Sequence, residues 1–201
     1  MSAIRIYIEG GGDPFSKARM REAFSKFLAA PRDAARQRRA SWNLILCGSR
    51  DDTFKAFQQG VKNYPDANVF LLVDAEQPVA GSPRAHLAER EPWDLSIATD
   101  EQCQLMAQVM ESWFLADPQA LKEFYGPQLG AKQIPARENV EEVDKKAVFA
   151  ALKASTSKTQ KGEYHKTQHA PLILENLDPE RVRARAPHCA RLFESLAEAL
   201  Q

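Results

Sequence analysis

Three short apolar runs restrict the fold of this chain more than any other feature. They are IRIYI (4–8), WNLILC (42–47) and NVFLLVDAE (68–76). Each is strand-length and favours β-branched, aromatic or leucine side chains. The stretches between them have helical spacing. Met20, Phe24, Phe27 and Leu28 fall on one face after Pro14, and Phe54, Phe57 and Val61 share a face after SRDD, which supplies N-cap candidates. Strand, helix, strand, helix, strand predicts an α/β domain with a central, mainly parallel sheet flanked by helices. The third run stays apolar until Asp74, as suits a central strand covered on both faces.

The working edge of such a sheet is its carboxyl edge. Glu9 closes the first run, and Asp74 and Glu76 close the third, so these acids are expected along one edge. Converging carboxylates repel one another, and a hard divalent cation is the usual remedy. Glu9, Asp74 and Glu76 are therefore candidate ligands for Mg2+, with Mn2+ as substitute. Gly10, Gly11 and Gly12 follow Glu9, and would let backbone and substrate approach closely. Amides at the next helix start are expected to help hold an anion. Asp13, before Pro14, reads as the cap of that helix. Rival phosphate motifs fit less well. There is no G-x-x-x-x-G-K-[ST], a G-x-G-x-x-G reading fails at Phe15, and no G-x-S-x-G nucleophile elbow occurs.

Beyond the third run the pattern is looser. Residues 77–100 read as a long loop, and 103–110 as a fourth strand or a helix. ESWFLADPQALKEFYG reads as a helical region ending at Gly126, and 127–143 as irregular. KKAVFAALKAS is a short helix, KTQKGEYHKTQH a polar basic loop, and the remainder helices. The expected division is an α/β core over 1–126 with a helical C-terminal elaboration over 127–201 packed on it. Glu111 is a further candidate metal ligand. In the basic loop, Lys166 is a candidate point charge on a phosphate, and His169 a candidate proton donor or orienting group. The arginines between Arg32 and Arg39 read as a solvated face or as backbone contacts to nucleic acid.

Global charge points to no particular partner, since 27 basic residues balance 27 acidic ones. Three cysteines without metal-ligand spacing read as reduced thiols, hence a cytoplasmic protein. No signal peptide and no apolar run of membrane-spanning length is evident, so no membrane partner is expected.

Glu9 before Gly10 and Gly11, with Asp74 and Glu76 closing a later strand, resembles the Toprim domain of topoisomerases, primases and overcoming-lysogenization-defect nucleases. Glu76 stands where that domain usually has Asp. Five blocks, YIEGGGD, LLVDAE, VMESWFLADPQAL, GEYHKTQHA and APHCARLFESL, resemble a bacterial family of uncharacterised proteins, domain of unknown function 4276, regarded as Toprim-like. The resemblance implies metal-dependent phosphodiester chemistry on nucleic acid, DNA before RNA. It also implies an anti-phage setting beside an AAA- or ABC-type ATPase partner. Two other readings stay open: a non-catalytic regulatory subunit of an ATPase complex, and a small-molecule phosphohydrolase.

Overall fold

The computed structural model describes residues 3–201. Four strands, β1 (Ala3–Glu9), β2 (Ser41–Gly48), β3 (Asn68–Asp74) and β4 (Cys103–Met106), form one sheet in the order β2-β1-β3-β4, with every neighbouring pair parallel. The apolar runs are strands because both of their faces are covered. Ile4, Ile6, Ile8, Phe70 and Leu72 pack into one hydrophobic cluster, while Tyr7, Val69, Leu71 and Val73 pack into the other.

Helices α1 (Pro14–Phe27) and α2 (Ala29–Gln37) carry the chain from β1 to β2, and α1 buries Met20, Phe24 and Phe27 in the first cluster. Helix α3 (Arg50–Asn63) leads to β3 and buries Phe54 and Phe57 in the second. Successive crossovers thus lie on opposite faces. The sheet grows outward from β1 in both directions, which opens a crevice at the carboxyl ends of β1 and β3.

The stretch expected as a long loop contains a helix, α4 (Pro83–Arg90), capped by the Ser82 hydroxyl and anchored by buried His86 and Leu87. Three buried residues in eight, Pro83, His86 and Leu87, leave too little periodicity to read in advance. The fourth strand stops at Met106, four residues short of the expected limit, and the chain turns so that Ser112 N–H donates to Val109 O at 2.9 Å. The following helical region is two helices, α5 (Ser112–Ala116) and α6 (Pro118–Tyr125). Pro118 has no N–H to continue α5, and the Asp117 carboxylate caps α6.

After two short 3-10 turns come α7 (Lys145–Thr156), α8 (Lys166–Leu174), α9 (Pro179–Arg185) and α10 (Pro187–Glu198). Lys166 and His169, expected on a loop, therefore stand in the first turns of α8. Val148, Leu152, Ile173, Val182, Leu192 and Leu196 from these helices join the cluster that holds Ile4, Ile6 and Ile8. No helix among the described residues is long and apolar enough to cross a membrane.

Candidate functional site

The carboxyl edge of the sheet is held together by one arginine. Arg50, the first residue of α3, reaches back across the strand ends. Its Nη1 donates to the Asp74 carbonyl at 2.6 Å and to Glu9 Oε2 at 3.2 Å, and its Nε donates to Glu91 at 2.7 Å. Glu9 Oε2 also accepts from Asp74 N–H at 3.1 Å, which ties β1 to β3 at the crevice. Asp74 Oδ1 accepts from Met110 N–H at 2.8 Å.

Glu111 follows directly and is fully buried. Its Oε1 accepts from the Tyr164 hydroxyl at 3.0 Å and lies 3.5 Å from Lys166 Nζ; its Oε2 has no hydrogen-bond partner among the described residues. The loop before α8 and the first residue of that helix thus supply the partners of an acid that sits between β4 and α5. Glu9, Gly10, Gly11, Gly12, Asp74 and Lys166 all line one cleft of about 420 Å3.

The charges in this cleft are strained by their surroundings. Burial, then the charges of Glu111 and Glu9, push Asp74 up to about 8, against the pull of Lys166 and the Met110 N–H. Burial also raises Glu9, although Arg50 opposes it. Burial disfavours the Lys166 ammonium, but Glu111 and Asp74 outweigh that and its pKa is raised.

A pH dependence follows. An unfolded Asp titrates near 3.9. Between about 4 and about 8 the folded chain holds a proton on Asp74 that the unfolded chain has lost, so this group makes stability fall as pH rises across that window. Metal-free protein is expected to melt at a lower temperature at pH 8 than at pH 5, and Asp74→Asn is expected to flatten the slope. An identical slope in the variant would show that Asp74 is ionised in the folded state.

The glycines divide by geometry. Gly10 N–H donates to Gly48 O at 3.0 Å, joining the ends of β1 and β2. Gly11 has φ +75°, and a Cβ there would stand 2.8 Å from the Lys17 Cα. Gly12 has neither constraint. Gly11→Ala is therefore expected to cost about 1–3 kcal/mol, and Gly12→Ala to stay within ~0.5 kcal/mol of wild type. Urea unfolding of the two variants checks this, and equal midpoints would refute it.

Other expected residues are placed differently. Glu76 does not line the cleft: its carboxylate pairs with Lys145. The extended backbone ends at Asp74 and Glu76 takes φ +67°, so the two-residue alternation that would aim both acids the same way does not continue. His169 is buried, ringed by Phe124, Tyr125 and Tyr164. Its Nδ1 accepts from the His165 N–H at 3.1 Å and lies 2.9 Å from the Tyr125 hydroxyl, so it holds the start of its own helix. Burial lowers its pKa. The amides at the start of α1 are engaged by Asp13, whose carboxylate accepts from Phe15 and Ser16; an acid already occupies the place expected for an anion. The arginine run lies on and just after α2, away from the cleft lining, with Arg32 bound to Ser25 and Asp33. Arg50 was not among the sequence candidates. Its position directly after Ser49, one residue past the end of β2, was the available signal.

Among the described residues no three His, Cys, Asp or Glu side chains stand together as a ready metal site. The donor set nevertheless suits Mg2+, which takes one or two carboxylates and completes its shell with water and phosphate oxygens. Asp74 and Glu111 are hard oxygen donors beside the cleft, and Glu111 Oε2 lacks any partner among the described residues.

The profile of one family, described as domain of unknown function (DUF4276), matches residues 4–197. No curated protein and no solved structure matches the chain.

Proposed function

The chain belongs to the DUF4276 family over nearly its whole length, and from that premise and the chemistry of the cleft we propose that it is a metal-dependent, Toprim-like phosphodiesterase that cleaves DNA. The observation that carries this reading is the meeting of a lysine with converging acids. Lys166 Nζ stands 3.5 Å from Glu111 Oε1, in a cleft that Glu9 and Asp74 also line.

Asp74 and Glu111 would hold Mg2+, or Mn2+ in its place, with Glu9 kept as the general base. Glu111 takes the role that the sequence pattern suggests for Glu76. A buried acceptor without a partner costs about 1–3 kcal/mol, more when charged, and a cation removes that cost at Glu111 Oε2. When bound, the cation supplies Lewis acidity to phosphate oxygens and an activated water. The chain's own groups do the rest. Lys166 places a positive charge where the phosphate gains negative charge. Arg50 and the Asp74 N–H engage Glu9 Oε2, which orients that carboxylate and leaves Oε1 to accept a proton. Glycine backbone at 10–12 keeps that side of the cleft free of side chains, so a substrate strand can approach. Asp74 would ligate the cation in its ionised form, so metal binding would be linked to loss of the proton that burial favours on it.

Labelled single-stranded DNA, duplex DNA and RNA, incubated with Mg2+ or Mn2+, test the reading. Cleavage that stops on chelation is expected, with DNA cut faster than RNA. Failure to cut any of the three would remove the nuclease. A Mn2+ titration by calorimetry reads the site separately, with weak binding in wild type and weaker binding in Asp74→Asn.

A further inference from the structure

Three of the four methionines of this chain, Met20, Met106 and Met110, line the cleft that holds Glu9, Asp74 and Lys166. They come from α1, β4 and the turn before α5, and all are buried. Ala170 and Pro171 of α8 complete an apolar wall. Thioethers adapt to irregular shapes and make favourable contacts with flat aromatic rings. Asp74 pairs in register with Met106 and accepts from the Met110 N–H, so the cleft sets acids and a lysine beside thioethers, which suits a ligand that joins a charged group to a flat ring.

The hydroxyls in the lining are already engaged. Ser16 donates to Asp13, Ser49 donates to Asp52 at 2.6 Å, and Thr167 Oγ1 lies 3.1 Å from His165 Nδ1. Few groups are therefore left to read the edge of a particular base. The volume of about 420 Å3 is that of a small-molecule pocket. A base still paired and stacked in a duplex does not enter such a space; an unpaired base does.

A second feature lies next to the lining in the sequence. Phe15, beside the lining residue Ser16, is 71% exposed. The guanidinium of Arg19 lies 5.9 Å from its ring centroid. The other large exposed hydrophobic residue among those described, Tyr64, precedes β3 and so belongs to the opposite edge of the sheet, where Arg5 covers it at 3.7 Å. An exposed aromatic beside a cation, one residue from the lining of a cleft, is the kind of platform on which unpaired bases stack without regard to sequence.

We propose that the cleft receives one unpaired nucleotide, its phosphate beside Glu9, Asp74 and Lys166 and its base against Met20, Met106 and Met110, with the neighbouring base stacked on Phe15. The substrate class of the site is then single-stranded nucleic acid, read without base specificity. This rests on the phosphodiesterase reading for the placement of the phosphate, and on the methionines and Phe15 for the base.

The test measures affinity by fluorescence anisotropy, with Asp74→Asn in place to stop turnover and wild type in chelator as a second form. The probes are an oligothymidylate, an abasic oligonucleotide of equal length, a duplex and thymidine monophosphate. The oligothymidylate is expected to bind roughly tenfold or more tightly than the abasic strand and the duplex. Phe15→Ala is expected to lose roughly tenfold for the oligothymidylate and nothing for the abasic strand, with an unchanged melting temperature. Equal affinity for single strand, abasic strand and duplex would overturn the proposal. So would thymidine monophosphate binding as tightly as the oligonucleotide, which would assign the cleft to a free nucleotide. Base-dependent binding without cleavage by wild type would keep this inference and remove the nuclease. Equal cleavage of single strand and duplex together with equal binding would do the reverse.

Discussion

Lys166→Ala is expected to lower metal-dependent phosphodiester cleavage by roughly two to three orders of magnitude, the scale of losing one preorganised electrostatic donor. The residue opens α8, so the helix fixes its backbone while its ammonium faces Glu111. Its side chain is not part of the packed core, and the variant should fold. The cleft's electrostatics should nevertheless change without any substrate. Lys166 is the main cation holding Asp74 down against burial and Glu111, so its removal raises the Asp74 pKa further. The fall in stability with rising pH should then extend to higher pH in metal-free protein. A residue with only a packing role would leave that profile unmoved. Lys158→Ala, an exposed lysine in the turn after α7, is the control and should match wild type in both measurements. Equal single-turnover rates for wild type and Lys166→Ala at saturating metal would take α8 out of the chemistry.

Trp113→Ala is expected to destabilise the fold by about 3–5 kcal/mol. Trp113 is fully buried, stacked on Phe27 with centroids 5.1 Å apart and edge-on to Phe24 at 6.5 Å. Phe27 in turn meets Phe193 of α10 edge-on at 5.7 Å. The indole therefore joins α1, α5 and α10 in one cluster. Its Nε1 has no hydrogen-bond partner among the described residues, so Trp113→Phe should cost much less, because it also removes a buried unsatisfied donor. Urea midpoints of the two variants measure the difference. A loss below ~1 kcal/mol for Trp113→Ala would mean the cluster does not cooperate as described.

Helix starts and strand positions were legible because short-range chemistry sets them. Asp13 before Pro14 caps α1 through its own carboxylate, two and three residues on. The apolar runs became strands at nearly the expected limits, since burial on both faces leaves no alternative use for seven such residues as in β3. Helix α4 escaped because few of its side chains reach the core. Glu76 falls outside the cleft lining because alternation holds only while the backbone stays extended, and here it does not beyond Asp74.

What the sequence determined by itself was therefore local: the α/β pattern, the caps, and the placement of Glu9 and Asp74 at strand ends along one edge of the sheet. A strand end follows from the residues within it, and the carboxyl edge follows from parallel pairing. The tertiary structure alone decided which charges meet. Glu111 finds Lys166 and Tyr164, Glu9 finds Arg50, and Glu76 is diverted to Lys145. Three methionines distant in sequence come to line one cleft. Those meetings depend on which face each crossover covers and on how α8 packs against α1, and no spacing within a single element encodes either.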